Sequence, residues 1–188
     1  QSDAYLAAYD ISDINNIQEV DKIQSNPGSN SIPHNAHVDG NFLITSYYRD
    51  GTTVNDITYP NYMIQVAYYD SYAGSGNGFN GCWGTYPFLS SGNIISSDRD
   101  SDNGKGILNI YGRDFQQACY LMGNITDGIT SNSISNASIE ILSTSINENT
   151  NLIGFYQTAS VNSGTFQVVF SATGYASDTL TVSLVNGV

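Results

Sequence analysis

The chain has 188 residues, of which only 5 are Lys or Arg against 17 Asp or Glu, so its formal net charge is −12. This charge repels polyanions and argues against nucleic acid as a partner, and no apolar run approaches the roughly 20 residues that a membrane-spanning helix needs. Gly, Ser, Asn, Thr and Tyr dominate while 12% of residues are charged, a composition typical of twisted sheets and tight turns rather than exposed helices.

A repeated sequence motif indicates the expected architecture. Residues 8–12 and 18–20 read Ala-Tyr-Asp-Ile-Ser and Gln-Glu-Val, and residues 54–58 and 64–66 read Val-Asn-Asp-Ile-Thr and Ile-Gln-Val. The repeated Asp recurs after 46 residues. A period in the 40s, built of short strands and turn residues, is typical of the four-stranded blades of a β-propeller.

The first part of the chain therefore reads as successive blades. Residues 4–11 and 18–24 are predicted as the outer strands of one blade, joined by a polar turn. A complete blade follows, in which Asp39-Gly40 and Asp50-Gly51 supply two-residue hairpin turns. Its predicted strands are residues 34–38, 41–48, 52–57 and 65–70. A third, less regular unit is predicted at residues 82–89, 93–98 and 106–111.

Beyond Arg113 the pattern changes to short strands about 10 to 15 residues apart, the spacing of a small sandwich. The predicted strands are residues 121–126, 138–142, 154–158, 164–172 and 179–184. Phe166, Val168 and Phe170 alternate with other residues, which predicts one buried face. We expect an all-β chain of two domains, residues 1–113 with propeller blades and residues 117–188 with a β-sandwich.

Four segments of the first domain carry a resemblance to a known family. They are residues 33–41, 46–51, 66–70 and 81–89, the last containing the run Cys82-Trp83-Gly84-Thr85-Tyr86-Pro87-Phe88-Leu89. Over residues 4–111 the chain resembles the LVIVD-repeat, choice-of-anchor B family of secreted bacterial β-propeller proteins. The resemblance implies an extracellular or cell-surface protein of Bacteroidetes type. About two and a half blades would leave open edges, which we expect missing sequence or a neighbouring subunit to cover.

The second domain carries a separate resemblance, in residues 118–121, 123–127, 136–139 and 170–175. These segments look like the carboxypeptidase regulatory-like domain, a seven-stranded transthyretin-like sandwich. Asp178-Thr179-Leu180 also resembles the O-glycosylation motif of Bacteroidetes surface proteins, which makes Thr179 a candidate modification site.

The chain has two cysteines, Cys82 and Cys119. An even number of cysteines in a chain that looks secreted favours a disulfide. Such a bond would join the propeller part to the sandwich. The alternative is two buried free thiols, because pairing geometry cannot be read from sequence.

An acidic loop offers a candidate metal site. Asp98, Asp100 and Asp102 alternate before Gly104, an arrangement that gathers hard oxygen ligands around calcium. The twelfth loop position holds Asn109 instead of Glu, so the loop is not an EF-hand. The alternative interpretation is a solvated acidic turn between two strands.

Tyr47, Tyr48 and Trp83 are the candidate ligand-binding residues, because flat aromatic faces stack against sugars or proteins. The alternative is that they fill the packing between blades. No nucleophile elbow, Walker loop or recognisable cysteine–histidine pairing occurs, so no enzyme is expected.

The sequence thus predicts a non-catalytic structural or adhesion module that binds itself or other surface proteins. Two alternatives stay open. One is the subunit of an extracellular filament or tube closed by strand addition, and the other is a glycan-binding accessory module of a larger secreted protein.

Overall fold

The computed structural model describes residues 4–74, 78–102 and 104–188. Within these ranges the chain forms strands and no helix, so the prediction of an all-β protein is confirmed. The described strands do not close into a barrel or a complete propeller. Their bounds are β1 Leu6–Asp10, β2 Gln18–Ile23, β3 Asn35–Asp39, β4 Phe42–Ser46, β5 Thr52–Asp56, β6 Ile64–Tyr69, β7 Gly81–Tyr86, β8 Ile94–Asp102, β9 Lys105–Tyr111, β10 Cys119–Asn124, β11 Ser138–Ile141, β12 Asn147–Asn149, β13 Phe155–Ser160, β14 Gly164–Ser171 and β15 Asp178–Leu184.

The chain divides into two compact units, an N-terminal unit that ends at Phe115 and a C-terminal unit, Gln116–Val188. The division falls between residues 113 and 117, the interval in which the sequence pattern changes.

The N-terminal unit contains three antiparallel sheets, β1-β2, β3-β4-β5-β6 and β7-β8-β9. The four-stranded sheet is a meander of consecutive hairpins, and β5 is buried along its whole length. Its first turn places Gly40 at a φ of 58° and its second places Gly51 at 79°, a conformation that glycine adopts without steric cost. These four strands match the four predicted for residues 34–70.

The interior of the N-terminal unit combines a small apolar cluster with buried hydroxyls. Ile44, Val54 and Ile94 form the cluster. Beside it Thr52 Oγ1 lies 2.7 Å from Ser96 Oγ, which lies 2.9 Å from Thr85 Oγ1. Hydrogen bonds between side chains therefore join the faces of β5, β7 and β8.

The C-terminal unit has two antiparallel sheets, β10-β13 and β12-β11-β14-β15. Both contribute to one apolar core, which consists of Cys119, Ile139, Ile141, Tyr156, Val168 and Leu184. Phe166 and Phe170 pack against this core on either side of Val168, as the alternation along β14 predicts. The short strand β12 was not predicted, since its Asn-Glu-Asn sequence has no apolar alternation.

The predicted disulfide between Cys82 and Cys119 is wrong, because both cysteines are free. Each sulfur is completely buried inside its own unit. Cys82 Sγ lies 3.4 Å from the hydroxyls of Thr52 and Thr85, whereas Cys119 belongs to the apolar core of the C-terminal unit. The alternative of two buried thiols describes the protein.

Candidate ligand-binding surface

Trp83 occupies a β-bulge in β7. The pairing of β7 with β8 shifts between Cys82 and Gly84, which leaves Trp83 as the extra residue. A bulge bends its strand and re-aims the side chain it carries. The Trp83 side chain is 41% exposed although the neighbouring Cys82 is completely buried. The bulge therefore turns the indole towards solvent.

The start of β7 is fixed by a tight backbone junction with Tyr48. The Tyr48 carbonyl accepts hydrogen bonds from the amides of Gly51 at 3.0 Å and Cys82 at 2.8 Å. Tyr48 itself has a φ of 36°, a left-handed conformation that a bulky residue rarely adopts. Gly81 has a φ of 85°, and a Cβ there would lie 2.4 Å from the Tyr48 carbonyl oxygen. Only glycine fits at position 81.

Two rings pack against the Trp83 indole, and a third packs against one of them. The ring centroid of Trp83 lies 4.9 Å from that of His34 and 5.7 Å from that of Tyr48, and the Phe79 centroid lies 5.4 Å from that of Tyr48. His34 Nδ1 is 2.5 Å from the Trp83 carbonyl oxygen. Because a carbonyl only accepts, His34 Nδ1 carries the proton in this contact. The cluster holds both the ring and the backbone of Trp83.

A charged group lies over the indole. The Arg99 guanidinium is 5.5 Å from the Trp83 ring centroid, within the range of a cation–π contact. Its Nε is 3.3 Å from Asp100 Oδ2. An open depression of about 400 Å³ is lined by Trp83, Arg99, Asp100 and three further residues. A flat aromatic face beside planar charged groups can stack on a sugar ring or hold a peptide.

The adjoining sheet surface is also apolar. Tyr86, Phe88, Leu108 and Ile110 are between 46% and 65% exposed. Tyr86 and Phe88 contact each other with ring centroids 5.5 Å apart, and Leu108 and Ile110 lie on β9. These four residues and Trp83 together form what we name the outer aromatic surface. Exposed apolar residues grouped in this way mark interaction sites.

The three predicted ligand-binding residues are placed differently. Tyr47 is 1% exposed, and its hydroxyl donates a 2.8 Å hydrogen bond to the Ala4 carbonyl. Tyr48 is 4% exposed and reaches the site only as a support for Trp83. Burial raises the pKa of the Tyr48 hydroxyl, and the Arg99 charge opposes that rise. Of the three residues, Trp83 alone presents its ring to solvent.

Arg99 and Phe79 were missed by the sequence reasoning. Arg99 stands between two aspartates, and the acidic pattern concealed its role. The bulge that turns Trp83 towards Arg99 depends on the register between two strands, and neither strand alone predicts it.

The carboxylates of the acidic hairpin lie in different environments. Asp98 is 4% exposed; its Oδ2 accepts hydrogen bonds from the Ser71 hydroxyl and, at 2.8 Å, from Asn109 Nδ2. Its buried Oδ1 has no partner among the described residues, whereas Asp100 is ion-paired with Arg99 at the surface. The side chain of Asp102 lies outside the described residues. In the described part no three His, Cys, Asp or Glu side chains come together where they could hold a metal ion, and calcium at this hairpin stays a prediction.

Two edge strands of the N-terminal unit border an apolar groove. The groove has a volume of about 560 Å³ and is lined by Val66 and Ala67 on β6, Ile110 and Tyr111 on β9, and Phe115, among others. β6 and β9 are each the last strand of their sheet. The exposed edges of sheets can pair with strands from another chain.

The candidate glycosylation residue Thr179 is exposed on β15, an edge strand of the C-terminal unit. It is accessible to modification, and its glycosylation stays a prediction. In the described residues no helix is long and apolar enough to cross a membrane.

Comparison of the chain with family models, curated proteins and solved structures finds no match in any of the three. The resemblances to the LVIVD-repeat family and to the carboxypeptidase regulatory-like domain therefore stay predictions.

Proposed function

We propose that the protein is a non-catalytic extracellular or cell-surface module of structural or adhesive type, and that the outer aromatic surface is its contact surface. The observation that carries this proposal is the exposure of Trp83 and Tyr86 on β7 and of Leu108 and Ile110 on β9, two strands of one sheet, with Phe88 after β7 in contact with Tyr86. Aromatic residues are enriched at protein interfaces and at sites that bind sugars.

The architecture is compatible with this role. We interpret the meander β3-β4-β5-β6 and the sheet β7-β8-β9 as propeller blades, and the C-terminal unit as a transthyretin-like sandwich. Consecutive antiparallel hairpins support the first interpretation. Two sheets around one apolar core support the second.

The environment of Cys82 argues against a nucleophilic role for its thiol. Burial raises the pKa of the Cys82 thiol, opposed by hydrogen bonds from Thr52 and Thr85. A thiol with a raised pKa is a poor nucleophile because the thiolate is the reactive form.

Binding of the purified protein to intact bacterial cells tests this proposal. Trp83→Ala should reduce binding about tenfold or more if the indole is a central contact. Tyr9→Ala is the matched control, because Tyr9 is an exposed aromatic residue at 54% in the same unit but lies outside the outer aromatic surface. Equal binding by both variants would contradict the assignment of the surface. Turnover of a glycan, ester or peptide that a single side-chain change abolishes would contradict a non-catalytic role.

A second candidate function is self-assembly into a filament or tube, which the apolar groove between β6 and β9 favours. A strand from another copy would pair with an edge and bury the groove. Tyr69→Lys should shift assemblies towards monomer in size-exclusion chromatography and negative-stain microscopy, because Tyr69 lines the groove and is 55% exposed. Tyr9→Lys is the matched control, since Tyr9 is a tyrosine of similar exposure, 54%, in the same unit but does not line the groove. A monomer without assemblies in the unmodified protein would contradict self-assembly.

The third candidate, a glycan-binding accessory module, is supported by the Trp83–Arg99 contact. Titration with purified cell-surface polysaccharides should show binding that Trp83→Phe retains and Trp83→Ala loses, because only the first keeps an aromatic face. Binding unchanged in Trp83→Ala would remove the basis for it.

A further inference from the structure

A second region of the N-terminal unit has the composition of an ion site. A cavity of about 260 Å³ is lined by Ser25, Asn26, Asp50, Thr53, Gln65, Tyr68 and Asp70. No lining residue is cationic, and none is His or Cys. The cavity is separate from the acidic hairpin, whose aspartates do not line it.

The meander brings these groups together. Thr53 on β5 pairs with Tyr68 on β6, and Gln65 lies on the same strand as Tyr68. Asp50 lies in the turn between β4 and β5, and Asp70 directly follows β6. Two strands and two chain turns thus converge on one cavity.

Two oxygen atoms of this cavity are buried without a hydrogen bond. Thr53 is 1% exposed, and its Oγ1 has no partner among the described residues. Gln65 Oε1 is likewise buried and unpartnered there. Buried polar atoms in proteins are nearly always paired, with water or an ion where the protein supplies no partner. The hydroxyl and amide oxygens therefore indicate that something occupies the cavity.

The charges indicate what that occupant is. The carboxylates of Asp50 and Asp70 both line the cavity, and the hydroxyls of Ser25 and Ser29 donate hydrogen bonds to Asp50 Oδ2. Ser29 Oγ lies 3.2 Å from Asp50 Oδ2. Two carboxylates in one partly buried cavity repel each other unless a cation lies between them. An anion would be repelled by the same two carboxylates.

We propose that this cavity is a calcium site, with oxygen ligands from Asp50, Asp70, Gln65 and Thr53. Calcium takes six to eight oxygen ligands from carboxylates, amide carbonyls, hydroxyls and water, in flexible geometry. The absence of nitrogen and sulfur ligands from the lining disfavours zinc. The ion would tie the β4–β5 turn to the end of β6, and the hydrogen bond from the Ser25 hydroxyl to Asp50 extends this link to the loop after β2.

Terbium luminescence tests the site directly, because the Tyr68 ring at the cavity can sensitise a bound Tb³⁺ ion. The unmodified protein should show Tyr-sensitised emission that Ca²⁺ displaces and that Mg²⁺ at equal concentration does not. Saturating Ca²⁺ should raise Tm by about 5 °C over the value with chelator, since an ion bound only to the folded state stabilises it. An absence of emission and of a Tm shift would overturn the proposal, and so would equal displacement by Mg²⁺.

Asp70→Asn is the decisive variant. Asp70 Oδ1 accepts a 2.9 Å hydrogen bond from the Tyr72 amide, which an asparagine oxygen can also accept. Loss of the charge should weaken Tb³⁺ and Ca²⁺ binding about tenfold or more. Asp10→Asn is the matched control, because Asp10 Oδ1 accepts the same type of bond from the Ser12 amide at 2.9 Å and lines no part of the cavity. Equal weakening by both variants would overturn the assignment.

Two further variants complete the test. Asp100→Asn changes the acidic hairpin and should leave the terbium signal unchanged. If Asp100→Asn abolished the signal while Asp70→Asn retained it, the ion would bind at the hairpin, and the proposal would be overturned. Thr53→Val removes one oxygen without breaking a hydrogen bond among the described residues. It should weaken Ca²⁺ binding while Tm with chelator stays the same, and this keeps the proposal testable if Asp70→Asn does not fold. Unchanged affinity in Thr53→Val would remove Thr53 from the ligand set and with it the buried-oxygen argument.

Discussion

The two units are both antiparallel β-structures, but they are stabilised by different interactions. The C-terminal unit buries a continuous apolar core of Cys119, Ile139, Ile141, Tyr156, Val168 and Leu184. The N-terminal unit has only three residues in its buried apolar cluster, Ile44, Val54 and Ile94, and its interior is completed by hydroxyls and buried carboxylates. An apolar core is non-directional and tolerates repacking, whereas a hydroxyl network requires particular partners. Most of the buried polar side chains among the described residues accordingly lie in the N-terminal unit.

The largest expected effect is in the apolar core. Ile139→Ala should lower the free energy of unfolding of the C-terminal unit by about 2–5 kcal/mol, because the side chain is completely buried and leaves a cavity. Ile129→Ala is the control; Ile129 is 96% exposed in the same unit, so its change should be within about 0.5 kcal/mol. Segment-resolved hydrogen exchange measures both. Equal effects of the two substitutions would contradict the described core.

The backbone junction at Tyr48 predicts the next largest effect. Gly81→Ala should destabilise the N-terminal unit by about 2–3 kcal/mol, because positive φ and contact with the Tyr48 carbonyl both penalise a Cβ. Gly92→Ala shares the positive φ, at 79°, but has open space around the added Cβ, so it should cost about 1 kcal/mol. Denaturant unfolding followed by the emission of Trp83, the single tryptophan, checks the difference. A Gly81 variant no worse than the Gly92 variant would disprove the tight junction.

The hydroxyl network predicts a smaller effect. Thr52→Val should destabilise the N-terminal unit by about 1 kcal/mol, since Ser96 keeps its hydrogen bond with Thr85 when the Thr52 hydroxyl is lost. Thr181→Val in the C-terminal unit removes an exposed hydrogen bond from Gln167 and should change stability by less than about 0.5 kcal/mol. Urea midpoints of both variants test this. Equal changes would show that the buried network contributes no more than a surface bond.

The smallest expected effect is a difference in pH dependence between the units. Burial raises the pKa of Asp50 above 3.8, so the folded N-terminal unit binds this proton more readily than the unfolded chain. Its stability should therefore rise as pH falls through the raised pKa towards 3.8. Amides of Thr130 and Ile129 lower the pKa of Asp127 in the C-terminal unit, and the stability from this group is lost as pH falls through its lowered folded-state pKa.

Unfolding measured with chelator from neutral to acidic pH separates these contributions. Asp50→Asn should abolish the rise in the N-terminal unit, and Asp127→Asn should flatten the loss in the C-terminal unit. A profile of the Asp50 variant parallel to that of the unmodified protein would contradict the role of Asp50.

The sequence predicted the strands better than the contacts between them. Alternation along β14 and the glycine turns at Gly40 and Gly51 are local signals, so the strands and their hairpins could be predicted. The disulfide could not be judged from sequence, because burial of Cys82 and Cys119 in separate interiors is a property of the folded units. The same holds for the candidate surface: aromatic richness predicted Trp83, but it also selected Tyr47 and Tyr48, since composition does not distinguish the two faces of a strand.

The Tyr48 junction has a consequence for the order of folding. The hairpins of the meander join neighbouring strands, and such local contacts close quickly. The hydrogen bond from the Cys82 amide to the Tyr48 carbonyl instead joins distant parts of the chain and costs more loop-closure entropy. We therefore expect the meander to form before β7 docks against it, so that Gly81→Ala accelerates unfolding more than it slows refolding.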